Sequence, residues 1–274
     1  MELLEMTKID LETRARNKQH ITKEDIKSGL RELGLKRGDH IGVHSSLSSF
    51  GYVEGGADAV IDALLETVGK EGTIVMPTYS NNIERLEKTQ EEIDMGITWK
   101  YRVLPYDPQR DGCWTGKIPD TFWRRDGAVR SSHPTHSLTV IGPMAEEFSH
   151  KYGSKYADNE WYKLMMMDGY ILLLGVTLAC CSSMHLGERG IQLPQHILDK
   201  TTPPQDLDEK FKRDNIGYGY GPYPDFGKME EICIKHDIMK MTKIGEATVK
   251  LLKLKELIDL YAKYLKKDPD LFYH

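Results

Sequence analysis

The sequence has few cysteines, no excess of basic charge and no long hydrophobic run. Its 274 residues include four cysteines, at positions 113, 180, 181 and 233, and none of them shows the CxxC spacing of a zinc or redox motif. Acidic residues outnumber basic ones by 42 to 37, so the basic face of a nucleic-acid-binding protein is not expected. The apolar segment at residues 170–176 is too short to span a bilayer, and the charged first residues lack the apolar core of a signal peptide. These absences predict a reduced, cytoplasmic protein that binds neither nucleic acid nor membranes.

The apolar residues that are present follow the patterns of an α/β fold. Thr22 and Asp25 have the spacing of a capping box, and apolar residues recur at offsets of three and four through residues 57–68, which predicts a helix there. Apolar strands are predicted at residues 40–44, 73–77, 137–142 and 170–176, and the periodicity of residues 244–264 predicts a helix. Because a strand–helix–strand crossover implies parallel strands, we expect a mixed, mainly parallel central sheet flanked by helices.

Residues 80–130 have a different composition from the rest of the chain. They are polar and rich in proline, glycine and aromatic side chains, as in LPYDPQRDGCWTGKIPDTFWRRDG. Long segments of this kind often line ligand sites, so we expect an irregular insertion with short helices that walls the active site. No composition break divides the chain, which predicts a single α/β domain over residues 1–274.

The segment HSSLSSFGYVEGG, residues 44–56, joins a predicted strand to a predicted helix. Ligands of open α/β sheets bind at the carboxyl ends of strands, and the amides of a helix N-terminus attract anions. Gly55 and Gly56 precede the first helical turn, so a phosphate group would meet bare backbone there. The alternative is that the serines only cap the helix and satisfy the loop backbone. The segment matches neither a Walker A loop nor a GxGxxG fingerprint, and by itself it leaves both interpretations open.

Two further motifs contain histidine. In RSSHPTHS, His133 and His136 are three residues apart, but Pro134 opposes a regular helix that would present both to a metal, which favours structural or substrate-lining roles. In SSMHLGE, which follows the strand of residues 170–176, a helix would bring His185 and Glu188 together on one face. A carboxylate beside an imidazole is the arrangement of a general base, although a surface histidine with an acidic neighbour is the ordinary alternative.

Taken together, these segments resemble the aminoglycoside 3-N-acetyltransferase family. The resemblance covers about residues 20–260 and depends on five stretches in order: HSSLSSFGYVEGGADAVIDAL, GTIVMPTYS, YDP followed by TGKIPDTFWRRDGAVRSSHPTHS, DGYILLLGV with MHLGE after it, and IGEATVKLL. Each stretch alone has low specificity, and their common order is what identifies the chain as similar to this family.

The resemblance implies an acetyltransferase that uses acetyl-CoA as co-substrate and no metal. The coenzyme is expected to contact the serine-rich loop, the following helix N-terminus and the end of the next strand, that is, His44, Ser45, Ser46, Leu47, Ser48, Gly55, Gly56, Thr78 and Ser80. It also implies that His185 is the catalytic base and Glu188 its orienting carboxylate. The acceptor pocket is expected to include Tyr79, His136, Asp158 and Glu160.

The implied reaction is a direct transfer in which His185 takes a proton from the attacking amine. Backbone amides of residues 45–48 are expected to stabilise the developing oxyanion. The acceptor is expected to be an amine of an aminoglycoside or an amino-sugar-like molecule, and the protein a monomer or homodimer. The sequence departs from the family at Gly187, where alanine is usual. Glycine weakens a helix by up to about 1 kcal/mol relative to alanine, so the orientation of the His185–Glu188 dyad would be less fixed.

Two alternatives stay open from the sequence. The first is a metal-dependent hydrolase that would use His133, His136, His185 and Glu188. The second is a homologue that binds coenzyme A but turns over weakly or not at all, because its dyad is mis-set. The segment at residues 154–167 also departs from the family pattern, and this departure bears on the identity of the acceptor.

Overall fold

A computed structural model describes residues 20–145 and 160–273 of the chain. Its strands are β1 (His20–Ile21), β2 (His40–Ser45), β3 (Tyr52–Val53), β4 (Thr73–Pro77), β5 (Ile83–Arg85), β6 (Ile97–Val103), β7 (Val129–Arg130), β8 (Leu138–Ile141), β9 (Tyr170–Leu174), β10 (Ile216–Tyr220), β11 (Met239–Ile244) and β12 (Ala247–Lys253). Its α-helices are α1 (Lys23–Glu32), α2 (Gly56–Val68), α3 (Gln90–Asp94), α4 (Lys117–Phe122), α5 (Glu160–Met166), α6 (Gln195–Thr201), α7 (Gln205–Arg213), α8 (Met229–Lys235) and α9 (Leu254–Lys267). Short 3₁₀ helices cover Leu47–Phe50, Leu178–Cys180, Ser182–Glu188, Phe226–Lys228 and Pro269–Leu271.

A seven-stranded sheet forms the centre of the described ranges, in the order β11-β12-β9-β2-β4-β8-β7. Strand β2 pairs in parallel with β9 on one side and β4 on the other. The outer pairings, β11 with β12, β12 with β9, β4 with β8 and β7 with β8, are antiparallel. The predicted mixed sheet with flanking helices is confirmed, but the expectation that it is mainly parallel is wrong, because hairpins extend both of its edges.

One of those hairpins lies where the periodicity predicted a helix. Residues 244–253 form the turn and second strand of the β11–β12 hairpin, and the helix begins only at Leu254. The sheet is covered on both faces, and Val249 and Leu252 of β12 pack into different core clusters. A strand that is buried on both faces does not alternate apolar and polar residues, so its apolar residues can also match helical spacing. Gly245, with φ of +58°, makes the turn that the periodicity did not reveal.

Helices cover the sheet on two sides, and the two expected in the first third of the chain, α1 and α2, are where the sequence placed them. On one side α1 and α2 pack together over the sheet, with Ile26, Val60 and Leu64 fully buried. Thr22 and Asp25 form the predicted capping box at the start of α1. On the other side α5, α8 and α9 pack around Trp161, Met229 and other buried apolar residues.

The segment at residues 80–130 is more regular than its composition indicated. Strands β5 and β6 lie within it and join β10 in a separate three-stranded antiparallel sheet, in the order β10-β6-β5. Helix α4 lies near the end of this segment and packs against α2. The expectation of an irregular insertion is therefore corrected for residues 83–103, and the single-domain organisation stays a prediction. No helix in the described ranges has the length and apolar character of a membrane span.

Candidate active site

Three parallel strands bring the sequence motifs to one edge of the sheet. Ser45 at the end of β2 is in register with Leu174 at the end of β9, and the amide of Ser46 donates to the Leu174 carbonyl over 2.9 Å. Strand β4 runs in parallel on the other side of β2 and ends at Pro77. The loops that follow β2, β4 and β9 therefore leave the sheet at the same edge, which is where open α/β sheets bind ligands.

A cleft of about 560 Å³ opens at the serine-rich loop. Ser45, Ser46, Leu47, Ser48 and Gly56 line it, as the resemblance implied. Residues that the sequence argument did not single out complete the lining: Gly51, Tyr52, Val53, Gly116 and Lys117. Gly116 and Lys117 belong to the stretch TGKIPD, which is part of the resemblance but has no spacing that marks either residue as a ligand contact.

Gly56 leaves backbone uncovered at the cleft. Its φ is +59°, and a Cβ added there would have nothing within 4 Å, so the residue faces open space in a left-handed conformation. It begins α2, a helix of 13 residues whose first amides lack partners within the helix. The neighbouring Gly55, with φ of +78°, caps this helix and does not line the cleft.

The other predicted coenzyme contacts lie away from the cleft lining. His44 is buried and stacks on Trp161, with ring centroids 5.5 Å apart, and burial lowers its pKa to about 4. The hydroxyl of Thr78 is within 2.8 Å of the Thr139 hydroxyl, and that of Ser80 donates to the Pro134 carbonyl. Both hydroxyls are therefore engaged inside the protein and fix the loop after β4.

The predicted histidine–glutamate pair is hydrogen bonded. The Nδ1 atom of His185 lies 3.1 Å from Oε1 of Glu188, on the 3₁₀ helix Ser182–Glu188. The side chain of His185 is 47% exposed and that of Glu188 29%, so a molecule can reach the ring while its partner is sheltered. Phe226 contacts the imidazole edge-on, with centroids 4.8 Å apart. A carboxylate accepts but cannot donate, so the contact requires the proton on Nδ1 and leaves Nε2 as the basic nitrogen.

Three aromatic rings pack together near this pair. Tyr79 contacts Trp114 and His136, with centroid separations of 5.7 and 4.8 Å. His136 is near enough to His185 that the latter's charge lowers its pKa, in addition to the larger effect of burial. Trp114 is two residues from Gly116 in the cleft wall, and its amide donates to the Tyr79 carbonyl over 3.0 Å. Tyr79, Trp114 and His136 therefore form one cluster, the aromatic wall, and His136 brings this cluster near His185.

The remaining predicted acceptor residues have different outcomes. Burial raises the pKa of the Glu160 carboxyl, and its charge contributes to the raised pKa of Tyr79, whose main cause is burial. Glu160 therefore lies near the aromatic wall. Asp158 lies outside the described residues. His133 accepts the backbone amides of Thr135 and His136 at Nδ1, which explains its structural role in this turn.

Arg130 holds the loops of this site together, and the sequence argument did not identify it. Its buried guanidinium donates to the carbonyls of Thr78, Asp111 and Gly112. It also stacks over the ring of Trp123, 4.9 Å from the centroid. One residue thus anchors the loop after β4 to the segment that carries Trp114 and the cleft wall.

A metal centre is not built from the side chains that the structure describes. In residues 20–145 and 160–273, no group of three or more histidine, cysteine, aspartate or glutamate side chains is placed to hold a metal ion. Nothing in these ranges supports the metal-dependent hydrolase alternative. The thiol of Cys181 is not activated as a nucleophile either, because the residue is buried and burial raises the pKa of its thiol to about 12.

Comparisons with known proteins agree with the site. A family model described as aminoglycoside 3-N-acetyltransferase matches residues 43–266. Aminoglycoside N(3)-acetyltransferase IX of Micromonospora chalcea is 33% identical over 61% of this chain and 62% of its own length. The prophage-derived aminoglycoside N(3')-acetyltransferase-like protein YokD of Bacillus subtilis (strain 168) is 30% identical over 89% of this chain and 92% of its own.

The fold agrees as well. The solved structure of AAC-IIIb in a binary complex with CoASH superposes with a TM-score of 0.69, at 22% identity, over 93% of this chain and 98% of that one. The match to the family model covers more than half of the chain, and YokD is similar over nearly its full length. The chain therefore belongs to the aminoglycoside 3-N-acetyltransferase family.

Proposed function

We propose that this protein transfers the acetyl group of acetyl-CoA to an amine of an aminoglycoside or a related amino sugar. The observation that carries the proposal is the hydrogen bond between His185 and Glu188, on the segment after β9, which leaves the sheet at the same edge as the serine-rich loop that lines the cleft. Relatives of this chain are named as aminoglycoside N(3)-acetyltransferases. The alignment with the Micromonospora enzyme covers 62% of that protein.

The cleft has the chemistry that a coenzyme A thioester requires. Small and hydroxyl-bearing residues, Ser45, Ser46 and Ser48, admit a thin amide chain and offer it hydrogen bonds. The N-terminus of α2 at Gly56 offers amides to phosphate oxygens, and Lys117, which also lines the cleft, adds a positive charge. The AAC-IIIb structure, which shares this fold, contains CoASH. Acetyl-CoA would supply the acetyl group as a reactive thioester.

The dyad performs the proton transfer. Glu188 accepts from Nδ1 of His185, so Nε2 keeps a lone pair that can take up a proton. A neutral amine adds to the acetyl carbonyl, and Nε2 takes one of its N–H protons as the new C–N bond forms, while the carboxylate stabilises the resulting imidazolium. The tetrahedral adduct then collapses, the thioester C–S bond breaks, and the CoA thiolate leaves and takes the proton back from the imidazolium. General-base assistance of this kind contributes about 10²–10⁴-fold to a rate.

The loop after β2 supplies the donors for the carbonyl oxygen in this proposal. The amide of Ser46 is already bonded to Leu174, so it is not available. Leu47 and Ser48 begin the 3₁₀ helix Leu47–Phe50, and the first amides of a helix have no partner within it. These two amides are therefore the proposed source of oxyanion stabilisation.

The aromatic wall and Glu160 form the proposed acceptor side. A protonated amino group of the acceptor would gain from the partly buried carboxylate of Glu160, and sugar rings would pack against Tyr79 and Trp114. Trp114 is 59% exposed, so it offers such a ring an accessible face. A cationic, ring-containing amine fits these surroundings better than a simple alkylamine.

The experiment is a thiol-release assay with acetyl-CoA against a panel of aminoglycosides, amino sugars and simple amines. We expect release with the polyamine sugars and about 10²–10⁴-fold lower kcat in His185→Ala. Calorimetry should find that His185→Ala binds CoA as the wild type does. Equal kcat in the variant would remove His185 from the mechanism. Binding of CoA without release for any amine would instead favour the coenzyme-binding homologue without turnover.

A further inference from the structure

A buried tyrosine lies behind the dyad. Tyr261, on α9, is fully buried, and its ring meets Phe226 and Phe272 edge-on at centroid separations of 5.5 and 5.0 Å. Phe226 in turn contacts the imidazole of His185. The aromatic cage fixes the tyrosine ring, so the position of its hydroxyl is fixed as well.

That hydroxyl points at the carboxylate of the pair. The Tyr261 hydroxyl donates to Oε1 of Glu188 over 3.3 Å, and Oε1 is also the atom that lies 3.1 Å from Nδ1 of His185. Burial, and then the charge of Glu188, raise the pKa of Tyr261, so the phenol keeps its proton and remains a donor. One carboxylate oxygen thus receives two hydrogen bonds, from the imidazole and from the phenol.

Gly187 makes this approach possible. A Cβ added at Gly187 would lie 2.5 Å from Cδ1 of Tyr261, closer than real carbon contacts allow. The φ of Gly187 is not in the left-handed region, so the glycine is required for space and not for backbone conformation. The residue that the sequence argument treated as a weakness of the dyad is therefore what lets the tyrosine ring pack directly against its backbone.

We propose that Tyr261 is a positioning residue, which holds the Glu188 carboxylate in the orientation that keeps the proton of His185 on Nδ1. The inference rests on the proposed role of the dyad, because only a base at Nε2 gives that orientation a catalytic purpose. Without the hydroxyl, the carboxylate can rotate away from the ring, and water can bond to either nitrogen of the exposed imidazole. The tautomer with the proton on Nε2, which cannot accept a proton from the amine there, then becomes populated.

The test compares Tyr261→Phe with Tyr264→Phe. The first variant removes only the hydroxyl and keeps the ring within its cage. Tyr264 is a matched control on the same helix, since its hydroxyl lies 3.0 Å from Nε2 of the unrelated His236. Two measurements are made on each: kcat and KM with acetyl-CoA and an accepted amine, and the ¹⁵N shifts of the His185 ring, assigned by comparison with His185→Ala.

In Tyr261→Phe we expect kcat to fall about tenfold, which corresponds to about 1.4 kcal/mol, with KM for acetyl-CoA unchanged. The ¹⁵N shifts should show the Nε2-protonated tautomer increasing, and Tyr264→Phe should change neither quantity. Wild-type tautomer populations in Tyr261→Phe would overturn the proposal, as would equal losses in both variants. The ring shifts do not require turnover, so an inactive wild type would count against the proposed function and leave this inference open to its own measurement.

Discussion

Two segments leave the sheet from neighbouring parallel strands, β2 and β9, and they are built in opposite ways. After β2, residues 45–56 present serines and glycines to an open cleft, and Gly56 has free space where a side chain would be. After β9, the helix Ser182–Glu188 is packed so closely that Ser183, Met184, Leu186 and Gly187 are buried while His185 is exposed. The first segment offers backbone and room, and the second holds one side chain rigidly.

This difference assigns different kinetic consequences to the two segments. A surface that binds through backbone amides and small residues should affect coenzyme affinity when it is changed. A side chain that must be oriented should affect kcat, since it acts only as bonds are made and broken. The following variants test how these two segments differ.

The largest effect is expected from Glu188→Gln. The amide can still accept from Nδ1 of His185, but it no longer offers a negative charge to the imidazolium, so kcat should fall roughly 10²-fold while KM for acetyl-CoA stays the same. Steady-state kinetics with both substrates varied is the measurement. The control is Asp270→Asn, because Nε2 of His196 lies 2.7 Å from Oδ1 of Asp270 in an exposed pair far along the chain.

Asp270→Asn should leave both constants unchanged, since that pair has only a surface role. A loss confined to KM in Glu188→Gln would contradict the division of labour between the two segments. So would equal losses in both variants, which would mean that any histidine–carboxylate pair has the same effect.

A second effect concerns His44, at the end of β2. Burial against Trp161 lowers its pKa to about 4 from the ordinary value near 6.5. Between pH 6.5 and 4 the imidazole is therefore protonated in the unfolded chain but neutral in the folded one. The contribution of His44 to the free energy of unfolding is fully present above pH 6.5 and is lost as pH falls toward 4. The loss from this residue alone should reach roughly 3 kcal/mol at pH 4.

Urea denaturation of the wild type and His44→Phe at pH 7 and 4.5 measures this loss. The phenyl ring retains the stack on Trp161 and has no proton to take up, so its stability should fall less between the two pH values. Parallel losses in both proteins would show that His44 does not carry the effect. His133, whose pKa burial also lowers to about 4, contributes in the same direction in both proteins.

Features that depend on neighbouring residues could be predicted from the sequence, whereas contacts between distant segments could not. The four predicted strands, which are β2, β4, β8 and β9, together with α2 and the His185–Glu188 contact, follow from short-range patterns and were placed correctly. Residues 244–253 were assigned to a helix because a strand buried on both faces has no alternation. Tyr261 and Arg130 reach the site from far along the chain, through a hydroxyl and a guanidinium that bond to other segments, and no local pattern marks such contacts.

The two glycines give a third and smaller effect. Alanine normally stabilises a helix relative to glycine, but in Gly187→Ala the new Cβ would lie 2.5 Å from Tyr261, so we expect a loss of about 2 kcal/mol from overpacking. Gly56→Asn is the counterpart, because asparagine tolerates the left-handed region and would meet open space. Its loss should stay below about 1 kcal/mol.

Thermal denaturation distinguishes the two glycine variants, since each kcal/mol lowers Tm by about 2–4 °C in a chain of this size. A stabilised Gly187→Ala would mean that Tyr261 can move aside without cost, and it would weaken the case for a fixed tyrosine. Gly56→Asn should raise KM for acetyl-CoA instead, because its side chain would enter the cleft.

The smallest effect is expected from Lys117→Ala. Lys117 lines the cleft at the serine-rich loop from an exposed position, so on the proposed function it should attract the phosphate groups of the coenzyme without touching the reacting atoms. KM for acetyl-CoA should rise about fivefold at low ionic strength and less at high salt, because exposed charges are screened, while kcat stays the same. Lys70→Ala is the control, since Lys70 lines a different cleft with Arg37 and Gly142. A salt-independent rise, or an equal rise for Lys70→Ala, would show that local electrostatics at the serine-rich loop do not guide the coenzyme, and the cleft would then bind through backbone and shape alone.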